Sequence, residues 1–129
     1  MLVRLFSRVK PADRVILITD AMSAVGMPDG MYKLGELDVR VLNGRATTGE
    51  DTLAGSTLTL DAAVANYIRF SGVPVQDAVN AATRNPARMT SQPEAFGQIA
   101  AGMAANLNVL HPNGSLRASY LDGVEVAHA

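Results

Sequence analysis

Apolar positions along the chain change their rhythm several times. In the first nine residues Leu2, Leu5, Phe6 and Val9 recur at i, i+3, i+4 and i+7, the spacing of one helix face. No Ser, Thr, Asp or Asn precedes them to cap a first turn, so the segment reads equally as the second half of a longer helix or as a true start. After the breaker Lys10-Pro11-Ala12-Asp13, the run Val15-Ile16-Leu17-Ile18 is apolar without alternation and ends in Thr19-Asp20. Such a run predicts a strand near 14–19 buried on both faces, as in a parallel sheet or barrel flanked by helices.

Residues 21–30 are small and turn-forming and read as a loop. A hairpin excursion over 31–48 follows, with Leu37, Val39 and Val41 alternating against Asp38 and Arg40, and Asn43-Gly44 supplying a two-residue turn. A helix near 57–71 presents Leu60, Val64, Tyr67 and Ile68, with Asp61 in its first turn, Gly72 past its end and Pro74 beyond. A second helix near 74–83 presents Val75, Ala78, Val79 and Ala82. Asn85-Pro86 then reads as an N-cap and first-position proline for a short turn through Met89. From Asn106 onward, short β-prone runs separated by His111-Pro112-Asn113-Gly114 and Asp122-Gly123 predict a β meander.

The chain has 129 residues, no cysteine, and 11 basic against 12 acidic side chains. A length of ~100–150 residues suits one domain, and the 48% apolar content suits a globular core. Aromatics make up only 5%, so that core rests on Leu, Val, Ile, Ala and Met. The lack of cysteine removes disulfides, thiolate zinc sites and cysteine nucleophiles together. A net charge of −1 argues against a nucleic-acid surface. No apolar run reaches the ~18–20 residues of a membrane span, and Arg4 and Arg8 interrupt what would be a signal sequence. A cytoplasmic protein is the expectation.

Candidate chemistry is sparse. His111 opens a turn and His128 is the penultimate residue, so both are expected at the surface, away from metal-ligand spacing. Asp20 ends the apolar run. Ligands bind beyond the carboxyl ends of strands in parallel α/β folds, so an acid there suits proton transfer or metal chemistry; the plainer reading is a turn or cap aspartate. Leu53-Ala54-Gly55-Ser56-Thr57 precedes a helix, where backbone N–H groups can meet a polar ligand; its plainer reading is a glycine loop ending in a cap. Arg84 and Arg88 flank a helix boundary and read as solvated or ion-paired.

Taken together, Val15-Ile16-Leu17-Ile18-Thr19-Asp20-Ala21, Gly26-Met27-Pro28-Asp29-Gly30, Tyr32-Lys33-Leu34-Gly35 and Thr52-Leu53-Ala54-Gly55-Ser56 resemble the C-terminal third of N-acetylglucosamine-6-phosphate deacetylases. So do Ala82-Thr83-Arg84-Asn85-Pro86-Ala87-Arg88 and Gly97-Gln98-Ile99 through Asn106-Leu107. The resemblance implies an α/β fold: the C-terminal part of a (β/α)₈ amidohydrolase barrel over 1–104 and the C-terminal strands of a small β-sandwich domain over 105–129. It implies hydrolysis of an amino-sugar phosphate amide, with Asp20 as general base and acid and Leu53, Ala54, Gly55 and Ser56 lining the sugar and N-acetyl pocket through backbone groups. The full-length family holds a divalent metal, Zn or Fe, on a glutamate and two histidines from earlier strands. Neither histidine here matches those ligands, so this chain is expected to hold no metal by itself.

Three expectations compete. The chain is a C-terminal piece of the deacetylase, inactive alone because its water has no metal to lower a pKa of ~15.7. Alternatively it is a non-catalytic module that completes a barrel with a complementing N-terminal chain or as a homo-oligomer. The third is a small independent α+β domain of shared ancestry. The opening length then takes another meaning, because a whole barrel needs ~250 residues.

Overall fold

A computed structural model describes residues 1–49 and 51–127. The chain divides into two compact units, Ile18–Ala63 and the pair of segments Met1–Leu17 and Val64–Ala129.

The unit Ile18–Ala63 is built on an antiparallel meander of β1 (Gly30–Leu34), β2 (Leu37–Leu42), β3 (Arg45–Thr48) and β4 (Thr52–Ser56), in that spatial order. The Asn43-Gly44 turn behaves as its chemistry requires, with φ of +52° and +72° at the two central positions. Positive φ at both matches the twist of the flanking strands. Alternation buries Val39 and Val41 of β2, and with Met22, Ala24, Ala46 and Ala54 they form the core, against which Tyr32 packs. The expected excursion over 31–48 thus acquires a fourth strand. Thr52–Ser56, read as a loop before a helix, pairs instead with β3 through Thr47–Leu53 and Arg45–Ser56, around a bulge. Its small residues mask strand character, and the free edge of β3 overrides the weak local signal.

The other unit holds α1 (Leu2–Val9), a 3₁₀ turn (Ala12–Arg14), most of α2 (Leu60–Ser71), α3 (Val75–Ala82), α4 (Arg84–Met89) and an antiparallel meander of β5 (Leu107–Leu110), β6 (Leu116–Leu121) and β7 (Val124–Val126). The helices start and stop close to their expected places. Gly72, at φ +76°, ends α2 with its N–H on the Ile68 carbonyl, as a left-handed C′ glycine does. Val15, Val64, Tyr67, Ala78 and Ala81 form the buried core. Between β5 and β6 the turn comes so close to α2 that a Cβ on Gly114 would stand 2.6 Å from Ile68 Cδ1. Helix α1 buries none of its residues: Leu2 is 79% and Leu5 58% exposed, and Phe6 and Val9 are exposed as well.

Two further expectations are corrected. The run expected as an inner strand near 14–19 forms no ladder: residues 15–20 carry no regular structure, and Leu17 N–H donates to the Ala81 carbonyl of α3 at 2.9 Å. Val15 is buried, but Ile18 is 73% exposed, so burial on both faces does not occur. A doubly buried strand needs parallel neighbours, and no named strand among the described residues pairs with this segment. Asn85, expected as an N-cap, lies inside α4, whose N-cap is Thr83. It is 4% exposed, and its side-chain amide donates to the Ala12 and Val15 carbonyls at 2.8 and 2.7 Å. Both amide protons are spent on the Ala12 and Val15 carbonyls, which holds the side chain against the Ala12–Val15 turn, whereas a cap would turn its Oδ1 back to the first N–H groups of its own helix.

Candidate active site

The apolar run ends at Asp20, which is exposed and adopts a left-handed backbone with φ +49°. Its carbonyl accepts the Ser56 N–H at 3.1 Å, and the Ser56 carbonyl accepts the Met22 N–H at 2.9 Å, so Ala21 and Ser56 form a parallel bridge. Both features that the sequence singled out separately therefore meet in one place. β4 is an edge strand of its sheet, which leaves one side of its backbone uncommitted to the ladder.

Alternation along β4 assigns its residues different surroundings. Leu53 is exposed, Ala54 is buried in the core, Gly55 is exposed, and Ser56 is half-buried. Ala54 can therefore offer a ligand only main-chain groups. Ser56 Oγ accepts the Leu58 N–H at 2.8 Å, fixing the chain on its way to α2. Beside the strand lies an open cleft of about 360 Å³, lined by Leu53, Gly55, Ser56, Arg45, Thr59 and Ala62 among others. Asp20 does not line it. Arg45 makes a two-pronged ion pair with Asp51, at 3.2 Å for each contact. Both side chains are mostly exposed, so solvent screening leaves the pair worth little.

The remaining titratable groups lie elsewhere. His111 is exposed at the mouth of its turn, where its N–H donates to the Ser115 carbonyl and its carbonyl accepts the Gly114 N–H. His128 lies outside the described residues. Arg84 and Arg88 are exposed. Burial pushes the Tyr67 phenol above the usual 10.0, and the nearby Asp77 carboxylate adds to the rise. Among the described residues no three His, Asp or Glu side chains group together.

The contribution of Asn85 escaped the sequence reading, because Asn-Pro at a helix start is a strong local signal for a cap.

A mixed α/β chain with this arrangement matches solved deacetylases of N-acetylated amino-sugar phosphates. The N-acetylglucosamine-6-phosphate deacetylase of Thermotoga maritima superposes on 98% of the chain with a TM-score of 0.87 at 32% identity, using 35% of its own length. A variant of the Mycobacterium smegmatis enzyme in complex with N-acetyl-D-glucosamine-6-phosphate superposes on 96% with a TM-score of 0.85 at 39% identity, using 33% of its length. In sequence, the N-acetylgalactosamine-6-phosphate deacetylase of Escherichia coli O157:H7 is 42% identical over 76% of the chain. The chain is a homologue of part of the N-acetylglucosamine-6-phosphate deacetylases, as its sequence motifs anticipated. It spans 26% to 59% of the length of the first curated relatives it matches. No protein-family model matches it. Among the described residues no helix is long and apolar enough to cross a membrane.

Proposed function

We propose that this chain contributes the proton-carrying carboxylate and one wall of the acyl pocket to an enzyme that hydrolyses N-acetylglucosamine 6-phosphate to glucosamine 6-phosphate and acetate. The observation that carries the reading is the Ala21–Ser56 bridge. It brings Asp20 beside Leu53–Ser56, the two segments to which family resemblance gives catalytic and substrate-binding roles. In this reading an Asp20 carboxylate oxygen accepts a proton from the attacking water and returns it to the amide nitrogen as the C–N bond breaks. Such transfer contributes ~10²–10⁴ in rate. Ahead of Ser56, whose own N–H and C=O are spent on the Asp20 and Met22 peptides, the edge of β4 offers main-chain groups to the N-acetyl and sugar moieties. Residues 1–104 are read as barrel and 105–129 as strands of the smaller β domain. The family resemblance puts the ligands of the Zn or Fe on earlier strands, and neither His111 nor His128 matches them, so the reading gives this chain none of the metal ligands and no step through them. The reaction belongs to amino-sugar breakdown in the cytoplasm.

Two assays test this. Pure chain with added Zn²⁺ or Fe²⁺ is expected to release no glucosamine 6-phosphate above background. A chimera, in which this chain replaces the matching third of the Thermotoga maritima enzyme, is expected to turn over and to lose at least about 100-fold in kcat on Asp20→Asn. A chimera that keeps full activity with that substitution overturns the role of Asp20.

One observation favours a second reading, a module that completes a barrel with another chain or with itself. The apolar face of α1 is exposed at Leu2, Leu5, Phe6 and Val9, and such a face is normally covered. Size-exclusion with light scattering decides this point, and a monomer with a single cooperative melt counts against it.

A further inference from the structure

A side chain at φ +49° is uncommon, and Asp is one of the few residues that tolerate this conformation at modest cost. Around Asp20 the conformation is held from outside. Ser56 spends its N–H on the Asp20 carbonyl and its C=O on the Met22 N–H, gripping the chain on both sides of Ala21. Its hydroxyl oxygen is engaged away from Asp20, by the Leu58 N–H. Gly55 precedes it at φ +116°, a region that L side chains rarely enter. Space is not the constraint there, since a Cβ would meet Met22 Cβ at 3.4 Å and the Asp20 carbonyl oxygen at 3.8 Å. What demands glycine is the backbone turn that presents Ser56 to the Asp20–Met22 peptides. Met22 is itself 6% exposed and part of the meander core, so the far side of the grip is anchored.

We infer that Gly55 and Ser56 are positioning residues for Asp20: Gly55 supplies the backbone bend and Ser56 the two main-chain hydrogen bonds that fix the left-handed peptide from which the carboxylate projects. This rests on the reading of Asp20 as the proton carrier and adds a role to β4 beyond contacting substrate. A general base is effective only within hydrogen-bond reach of its proton, and displacement by about 1 Å can cost ~100-fold in rate. Fixing the backbone at the base of the side chain removes one source of such displacement.

Nuclear magnetic resonance on the whole chain tests it. In the native chain the Ser56 and Met22 amides are expected to be protected from hydrogen exchange, and the HN–Hα coupling of Asp20 to report positive φ. Gly55→Ala is expected to speed exchange at both amides about tenfold or more, through strain at positive φ, and to move the Asp20 coupling toward the extended value. Ser56→Ala keeps the main-chain groups and is expected to leave the Asp20 coupling unchanged and both exchange rates within about twofold. A folded Gly55→Ala chain with native exchange and coupling overturns the inference. So does a Ser56→Ala chain whose Asp20 coupling shifts, and this second variant reads the inference even if the first fails to fold. None of these measurements involves turnover. The positioning role can therefore fail while Asp20→Asn still disables the chimera, and the catalytic reading can fail while the grip persists.

Discussion

The two units of the molecule reach burial by different routes. In Ile18–Ala63 the core forms mainly between neighbouring strands, so residues close in sequence meet across short turns. In the other unit the decisive ties span long stretches of chain, with Asn85 bound to carbonyls 73 and 70 residues upstream and Leu17 bound to Ala81. The candidate chemistry is carried by the first kind of unit. The strands that carry the site are specified locally and joined to Asp20 by one longer-range bridge, whereas the helical unit depends on several long-range polar ties.

That contrast can be broken most sharply at Asn85. Asn85→Ala leaves the Val15 carbonyl, and that of Ala12, without their buried partner, and is expected to cost about 2–4 kcal/mol. Denaturant titration should show the loss, and hydrogen exchange should confine it to Met1–Leu17 and Val64 onward. Loss of protection in β1 to β4 as large as in α2 and α3 would dissolve the distinction. Val39→Ala works from the other side. Val39 is 0% exposed at the centre of the meander, and truncation is expected to cost about 2 kcal/mol, read as faster exchange in β1 to β4 while α3 keeps its protection.

Tyr67 gives the smallest effect, and it is tied to pH. Its phenol has a raised pKa in the folded chain, so the unfolded chain gives up this proton first as the solution becomes alkaline. The corresponding stability is intact below the unfolded value near 10.0 and is lost as pH rises through the folded one. Thermal melts of Tyr67→Phe are expected to decline less than those of the native chain between about pH 9 and 11. Equal declines would remove Tyr67 as a source of alkaline sensitivity.

Much of the fold was readable from local rules. The 3.6-residue rhythm and the Gly72 stop marked α2, Pro74 marked the start of α3, and Asn43-Gly44 and Asp122-Gly123 marked their hairpins. The departures share one cause, namely partners distant in sequence. Whether Val15–Ile18 pairs as a strand depends on neighbours that its own composition cannot reveal. Thr52–Ser56 becomes a strand because β3 lies beside it, and Asn85 turns inward because the Ala12–Val15 turn needs donors. The candidate site follows the same division. Asp20 and Leu53–Ser56 were each visible as motifs, but their meeting through a parallel bridge has no local signature.

The bridge between Ala21 and Ser56 also has a kinetic meaning. It closes a loop of about 35 residues, whereas the Asn43-Gly44 turn closes only two. Hairpins form in ~1–10 μs, while wider closures carry a larger entropic cost that is met only after local contacts are in place. The meander should therefore assemble first and capture the Asp20 peptide afterwards. On unfolding the order reverses, so the geometry around Asp20 is expected to open while the hairpins of the meander remain closed.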